Sequence, residues 1–274
     1  MKRFFPILSF LAISFTACQK EVSRNQNTSS EEVLSARANK DFVNTFYGPE
    51  VHLGDGMMRS WVSISHDNVP QAIGLEMTEG FLQNLPTVYT EMELPLHQKA
   101  QAVTPYNHIG IDWMPNGHPP AYFQLPHFDI HFYMLSEEEK MSIPAARPTN
   151  TNLAKVDSFG TPPPGVLPTD YTVPSAAVAQ MGRHWLDKNA DVLPPKNATF
   201  TYQFIYGTWN GKVAFMEPMI TRSFLLSGTE VHNAIKQPTI FNPTGTYYPT
   251  VFNVYKDPDT GKTYVSLSGF VWRS

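Results

Sequence analysis

Four of the chain's nine histidines fall within the 26 residues of HIGIDWMPNGHPPAYFQLPHFDIHFY, from His108 to Tyr133. Side chains alternate across a strand, so a strand over 127–133 would turn Phe128, Ile130 and Phe132 to the core. His127, Asp129 and His131 would then share the opposite face. Two imidazoles and a carboxylate on one rigid face can ligate a divalent transition metal, with zinc, iron, manganese and nickel all candidates. His118, just after Pro115-Asn116-Gly117, can reach the same site from a loop. His184 in Gly182-Arg183-His184-Trp185 and Glu217 in Phe215-Met216-Glu217-Pro218-Met219 complete the candidate ligand set. A carboxylate among apolar neighbours needs a partner, because an unpaired buried charge is costly. Asp129 and His108 are assigned to orienting ligands rather than bonding a metal. The same residues also fit a plainer arrangement. In it HFDIH is a polar strand face that meets solvent, His118 caps a turn, and Glu217 sits at a strand end.

Activity stays open at this level. An enzyme built on these residues would be a metal-dependent hydrolase or oxidoreductase, the metal activating water or oxygen. The competing class is a binding or assembly module without metal, its aromatic surface meeting a sugar, a peptide, a small molecule or a second copy of the chain. No G-x-S-x-G elbow, P-loop or G-x-G-x-x-G run occurs. Cys18 is the only cysteine, which excludes an internal disulfide and a thiolate zinc site.

The elements that would position these residues read as β. Residues 56–65 and 70–77 look like two strands around a His66-Asp67-Asn68 turn. Residues 78–85 read as a short helix capped by Thr78, and Ser136-Glu137-Glu138-Glu139 opens another with a capping box. Residues 199–206 and 212–220 predict a hairpin around Asn210-Gly211. Residues 247–255 and 263–272 predict a closing hairpin around Asp257-Pro258-Asp259-Thr260-Gly261. The expected fold is mainly β, a sandwich or a barrel with a few short helices, in one domain over residues 41–274. A proline-rich loop spans about 143–174, crossing that domain or dividing it.

The amino terminus predicts export. Lys2 and Arg3 precede a mostly apolar run to Ala12, and Phe15-Thr16-Ala17-Cys18 closes it with small residues and a cysteine. Residues 1–18 therefore read as a lipoprotein signal with Cys18 acylated. Phe15 departs from the usual aliphatic residue, and a plain signal peptide is the alternative. Residues 19–40 are polar and lack aromatics, as a flexible tether does. The expected location is the bacterial cell envelope, the membrane reached through the lipid on Cys18. Without Lys2 and Arg3, 18 basic residues face 24 acidic ones, and no basic run occurs, which argues against nucleic acid as a partner.

The run Asp112-Trp113-Met114-Pro115-Asn116-Gly117-His118-Pro119, then Pro126-His127-Phe128-Asp129-Ile130-His131-Phe132-Tyr133, then GRHW and YGTWNGKVAFMEPMIT, resembles an uncharacterised family of exported bacterial proteins. The likeness covers roughly residues 47–226, and H-F-D-x-H-F-Y is its most specific part. The resemblance implies a mainly β envelope domain, often lipid-anchored, and brings no assigned activity or catalytic residue with it. Pro115-Asn116-Gly117-His118 also resembles the start of a cupin metal pattern. The H-x-H pair of that pattern is absent, since His127 and His131 stand four apart.

Overall fold

Alternation at a period of two, punctuated by Gly, Pro and Asn turns, runs through most of the chain, and antiparallel strands form wherever it does. The structure, a computed structural model, describes residues 43–144 and 161–274. Cys18, the signal segment 1–18, the tether 19–40 and residues 145–160 of the proline-rich stretch lie outside the described residues.

Among the described residues two antiparallel sheets pack as a sandwich. The first carries β1 (Val43–Leu53), β2 (Gly56–Ser65), β3 (Pro70–Met77), β14 (Thr263–Ser268), β13 (Val251–Lys256) and β11 (Val231–Ala234), in that spatial order. The second carries β4 (Thr90–Pro95), β5 (His108–Met114), β6 (His127–Tyr133), β10 (Lys212–Thr221), β9 (Tyr202–Trp209), β8 (Gly182–Asp187) and β7 (Tyr171–Val178). A short pair, β12 (Thr246–Tyr248) with β15 (Val271–Arg273), stands apart. Three short helices accompany them: α1 (Gln98–Gln101), α2 (Glu137–Met141) and α3 (Arg222–Ser227).

The main core lies between the sheets. Val62, Ile73, Leu75, Val265 and Leu267 of the first sheet meet Ile109, Ile111, Phe128, Ile130, Phe132 and Ile220 of the second. Each large side chain buried there contributes on the order of 1.5–3 kcal/mol. The outer face of the second sheet is covered as well. Phe123, Leu186, Val192, Phe200 and Met219 cluster over one end, and Leu135, Ile143 and Phe215 over the other. All seven residues of β6 are therefore buried. The alternation expected of Phe128, Ile130 and Phe132 holds, but the His127–Asp129–His131 face meets protein rather than solvent.

The β2–β3 hairpin has the expected bounds, and so does the α2 cap, where Ser136 Oγ accepts from Glu139 N at 3.1 Å. The β9–β10 hairpin forms around Asn210-Gly211, with β9 starting at Tyr202. Three expectations are corrected. Residues 78–85 form turns instead of a helix, because Gly80 sits at φ +92° and Thr78 Oγ1 accepts from Met57 N on the neighbouring strand. The closing hairpin divides. Only β13 and β14 pair around residues 257–261, while Tyr247 and Trp272 belong to the separate β12–β15 pair. The proline-rich stretch ends before residue 174, since β7 begins at Tyr171.

Candidate metal centre

The outer face of β6 sets the site, and its neighbours bring the remaining groups. Asp112 on β5 pairs directly with Asp129. Glu217 on β10 lies between the pairs Phe215–Tyr133 and Met219–Asp129, which places it beside His131. His184 on β8 is opposite Gly207 of β9, which in turn faces Phe215. A Cβ at Gly207 would run into the Phe215 ring. This glycine thus opens the space through which His184 reaches Glu217 across an intervening strand. His118 arrives from the β5–β6 loop, its backbone N donating to Phe123 O at 3.2 Å.

These side chains form two separate groups, each able to hold a metal ion: His118, His127 and Asp129, and His131, His184 and Glu217. Sequence reasoning put His127 and His131 in one site. Four residues of extended strand span about 13 Å, and that spacing divides them. Asp129 faces the Nε2 atoms of His118 and His127, where it can ligate as well as orient, and a second carboxylate, Asp112, lies behind His131. His108 lies outside both groups, its Nε2 3.4 Å from Glu93 Oε2 without a hydrogen bond, and stacks on Tyr133 with ring centres 4.8 Å apart.

In the first group, His118 Nδ1 lies 2.6 Å from Pro119 O, and His127 Nδ1 lies 2.6 Å from Leu125 O. A carbonyl only accepts, so both Nδ1 atoms carry protons. In a neutral ring Nε2 is then a bare lone pair. Those Nε2 atoms face the two oxygens of one carboxylate, His127 at 3.0 Å from Asp129 Oδ1 and His118 at 3.2 Å from Oδ2. Lone pair against lone pair is repulsive unless a proton or a metal cation lies between them. His127 Nε2 and Asp129 Oδ1 are buried, and neither has a hydrogen-bond partner. Burial alone would raise the Asp129 pKa, but the two imidazoles hold it well below the usual carboxylate range. For His118 burial pulls down, and the Asp129 carboxylate outweighs it and raises the pKa.

In the second group, Glu217 Oε2 is 3.4 Å from His131 Nε2 and 3.5 Å from His184 Nε2. Behind it, His131 Nδ1 is 3.4 Å from Asp112 Oδ2, and Asp112 Oδ1 accepts from the Tyr89 hydroxyl at 2.6 Å. A carboxylate behind an imidazole is the arrangement that orients a metal-bound histidine. Burial, reinforced by His184, pushes His131 down to about 3, so its ring is neutral. Burial pushes Asp112 up to about 7, although the Tyr89 hydrogen bond pulls the other way. Glu217 is raised well above its ordinary value by burial and then by Asp129 and Asp112. Both nitrogens of His131 and Glu217 Oε2 lack hydrogen-bond partners.

Each buried polar atom left unsatisfied costs on the order of 1–3 kcal/mol. Five such atoms converge in these two groups. Ligands at about 2.0–2.1 Å from a tetrahedral metal stand roughly 3.3 Å from one another. The nitrogen–oxygen separations here, 3.0 to 3.5 Å, have that spacing. Both groups border one cavity of about 410 Å³, with His118, Asp129, His131, His184 and Glu217 in its lining. Met114, Leu186, Ile205 and Met219 share the sheet face of Asp129, His131, His184 and Glu217, and Phe123, Met181 and Tyr89 also line the cavity.

All five candidate ligands named from the sequence line that cavity or complete its groups. Asp112 and Tyr89 were missed. Asp112 alternates with His108 and Gly110 along β5, a pattern that could have placed it on the histidine face. Nothing local marks Tyr89, whose role comes only from the β4–β5 pairing. Comparison with protein-family models, curated proteins and solved structures finds no match to this chain.

Proposed function

We propose that the protein is an envelope metalloenzyme, lipid-anchored at Cys18, that binds two divalent ions and hydrolyses a small molecule. The observation that carries this reading is the pair of largely buried His₂–carboxylate groups facing one cavity, with His127 Nε2, Asp129 Oδ1, His131 Nε2 and Glu217 Oε2 lacking hydrogen-bond partners. Three protein ligands leave a coordination position open, the pattern of a catalytic centre, whereas structural zinc is closed by four. A bound ion supplies a Lewis acid and a water acidified to near neutrality. The chain's residues do the rest. Pro119 O and Leu125 O fix the tautomers of His118 and His127, and Asp112 lies 3.4 Å behind His131 Nδ1, placed to orient the ring once an ion is bound.

Zinc fits best among the candidate metals. Met114, Met181 and Met219 line the cavity. An oxidant generated there would convert thioethers to sulfoxides, so a redox-inert ion suits the lining better. The envelope location is supported by the signal pattern of residues 1–18 and by the absence of any cysteine besides Cys18.

The test is elemental analysis of the mature chain from Gln19, made without a histidine tag, beside His127→Ala and His131→Ala. The expected result is about two metal ions per chain, with one lost in each folded variant. A wild-type chain that takes up no metal after supplementation refutes the reading and leaves a binding module in its place.

A further inference from the structure

The cavity's polar groups belong almost entirely to the two candidate metal groups, while Met114, Phe123, Met181, Leu186, Ile205 and Met219 give it an apolar lining around them. Tyr89 is the remaining polar lining residue, and its hydroxyl is committed to Asp112. A substrate donor or acceptor against that apolar lining would lose its water and gain no partner, which strongly disfavours sugars and peptides.

Among the described residues no lysine or arginine lines the cavity. Lys140, behind the sheet edge, is held between Glu91 and Glu93. Arg183 alternates to the other face of β8 from His184 and lies over the Trp185 ring. Two dications against the carboxylates of Asp112, Asp129 and Glu217 leave about one net positive charge, which a single anionic oxygen group neutralises. A phosphate monoester, with close to two negative charges, would bury further negative charge beside these carboxylates without a described cationic side chain to pair it.

Resting on the metalloenzyme reading, we infer that the cavity takes a small apolar carboxylic ester or lactone, with the acyl oxygen at the metal groups and the hydrocarbon against the apolar lining. At about 30 Å³ per water-sized group, the cavity holds on the order of fourteen non-hydrogen atoms. The reaction balances without another reactant. Water adds to the acyl carbon, the bond to the alkoxy oxygen breaks, and the alcohol leaves with one water proton. The carboxylate remains at the metal groups, and the second proton goes to solvent.

The experiment uses the zinc-loaded mature chain, with metal content measured in every sample. Affinities are compared for acetohydroxamate and octanohydroxamate, which share a zinc-binding head, and for inorganic phosphate. Each methylene buried against the apolar lining strengthens binding about fourfold, so octanohydroxamate should bind at least about 30-fold tighter than acetohydroxamate. Phosphate should bind more weakly than either. Met181→Asp should remove most of the chain-length gain with both metals retained, and p-nitrophenyl hexanoate should turn over while p-nitrophenyl phosphate does not. Equal affinity for the two hydroxamates, tighter phosphate binding, or a chain-length gain without ester turnover each overturn the inference while the metal reading stands. A metal-free chain overturns the underlying reading instead.

Discussion

Each sheet of the sandwich buries a glutamate on its outer face, and the two are satisfied in opposite ways. Glu76 on β3 meets Arg59 Nη2 at 2.7 Å, Lys262 Nζ at 2.7 Å and the Tyr264 hydroxyl at 3.0 Å. Burial pushes its pKa up, but Lys262, Tyr264 and Arg59 outweigh that and hold it below the ordinary value. Among the described residues, Glu217 on β10 has two imidazoles, one of them neutral, and no lysine or arginine within reach, and its pKa rises. The first carboxylate is completed by the chain and is structural. The second has no such partner among the described residues, and the proposed ion would take that place.

The largest expected effect separates the two directly. Glu217→Ala should remove one metal ion and reduce esterase turnover by at least about 100-fold, the scale of losing a catalytic metal's effect. Glu76→Ala should leave metal content and turnover intact and cost about 2–3 kcal/mol in urea unfolding, since its partners are partly exposed. Equal losses of turnover in both variants would erase the distinction.

The pH dependence sharpens the comparison. Glu76 is held below 4.5, so its stabilisation is present above that pH and is lost as pH falls through the lower folded pKa. At the metal groups the proton competes with the ion. Asp112 titrates near 7 and Glu217 higher than usual, so zinc affinity should weaken about tenfold or more per pH unit below about 7. Competition with a zinc chelator between pH 5 and 8 checks this. A flat profile would mean that protons and metal do not share these groups.

Two smaller effects concern how the second group is assembled. Gly207→Ala should displace Phe215 from its ring contacts with His131 and His184, at 4.8 and 5.0 Å, costing about 1–3 kcal/mol. It should also weaken zinc at that group and spare the other. Tyr89→Phe removes the donor to Asp112 and should lower zinc affinity about tenfold, measured by the same competition.

Much of the fold was legible because its signals are local. Alternation and the His66-Asp67-Asn68 turn bounded β2 and β3, and Asn210-Gly211 placed the β9–β10 hairpin. Ser136 with Glu139 placed α2. The site was legible in its membership more than in its grouping. His118, His127, His131, His184 and Glu217 stood out as histidines in strand-like runs and an acid among apolar residues. Which of them meet depends on the β6–β10 register and on the space over Gly207, which only the assembled sheet contains. Asp112 went unassigned for the same reason. Direct pairing of β5 with β6 decides which carboxylate faces the cavity and which backs His131.

Anomalous diffraction at the zinc edge, on crystals of the mature chain grown with zinc, tests the central claim most directly. The account predicts two peaks, one among His118, His127 and Asp129 and one among His131, His184 and Glu217. Crystals with no peak at either position, or with zinc only at surface residues, would contradict it.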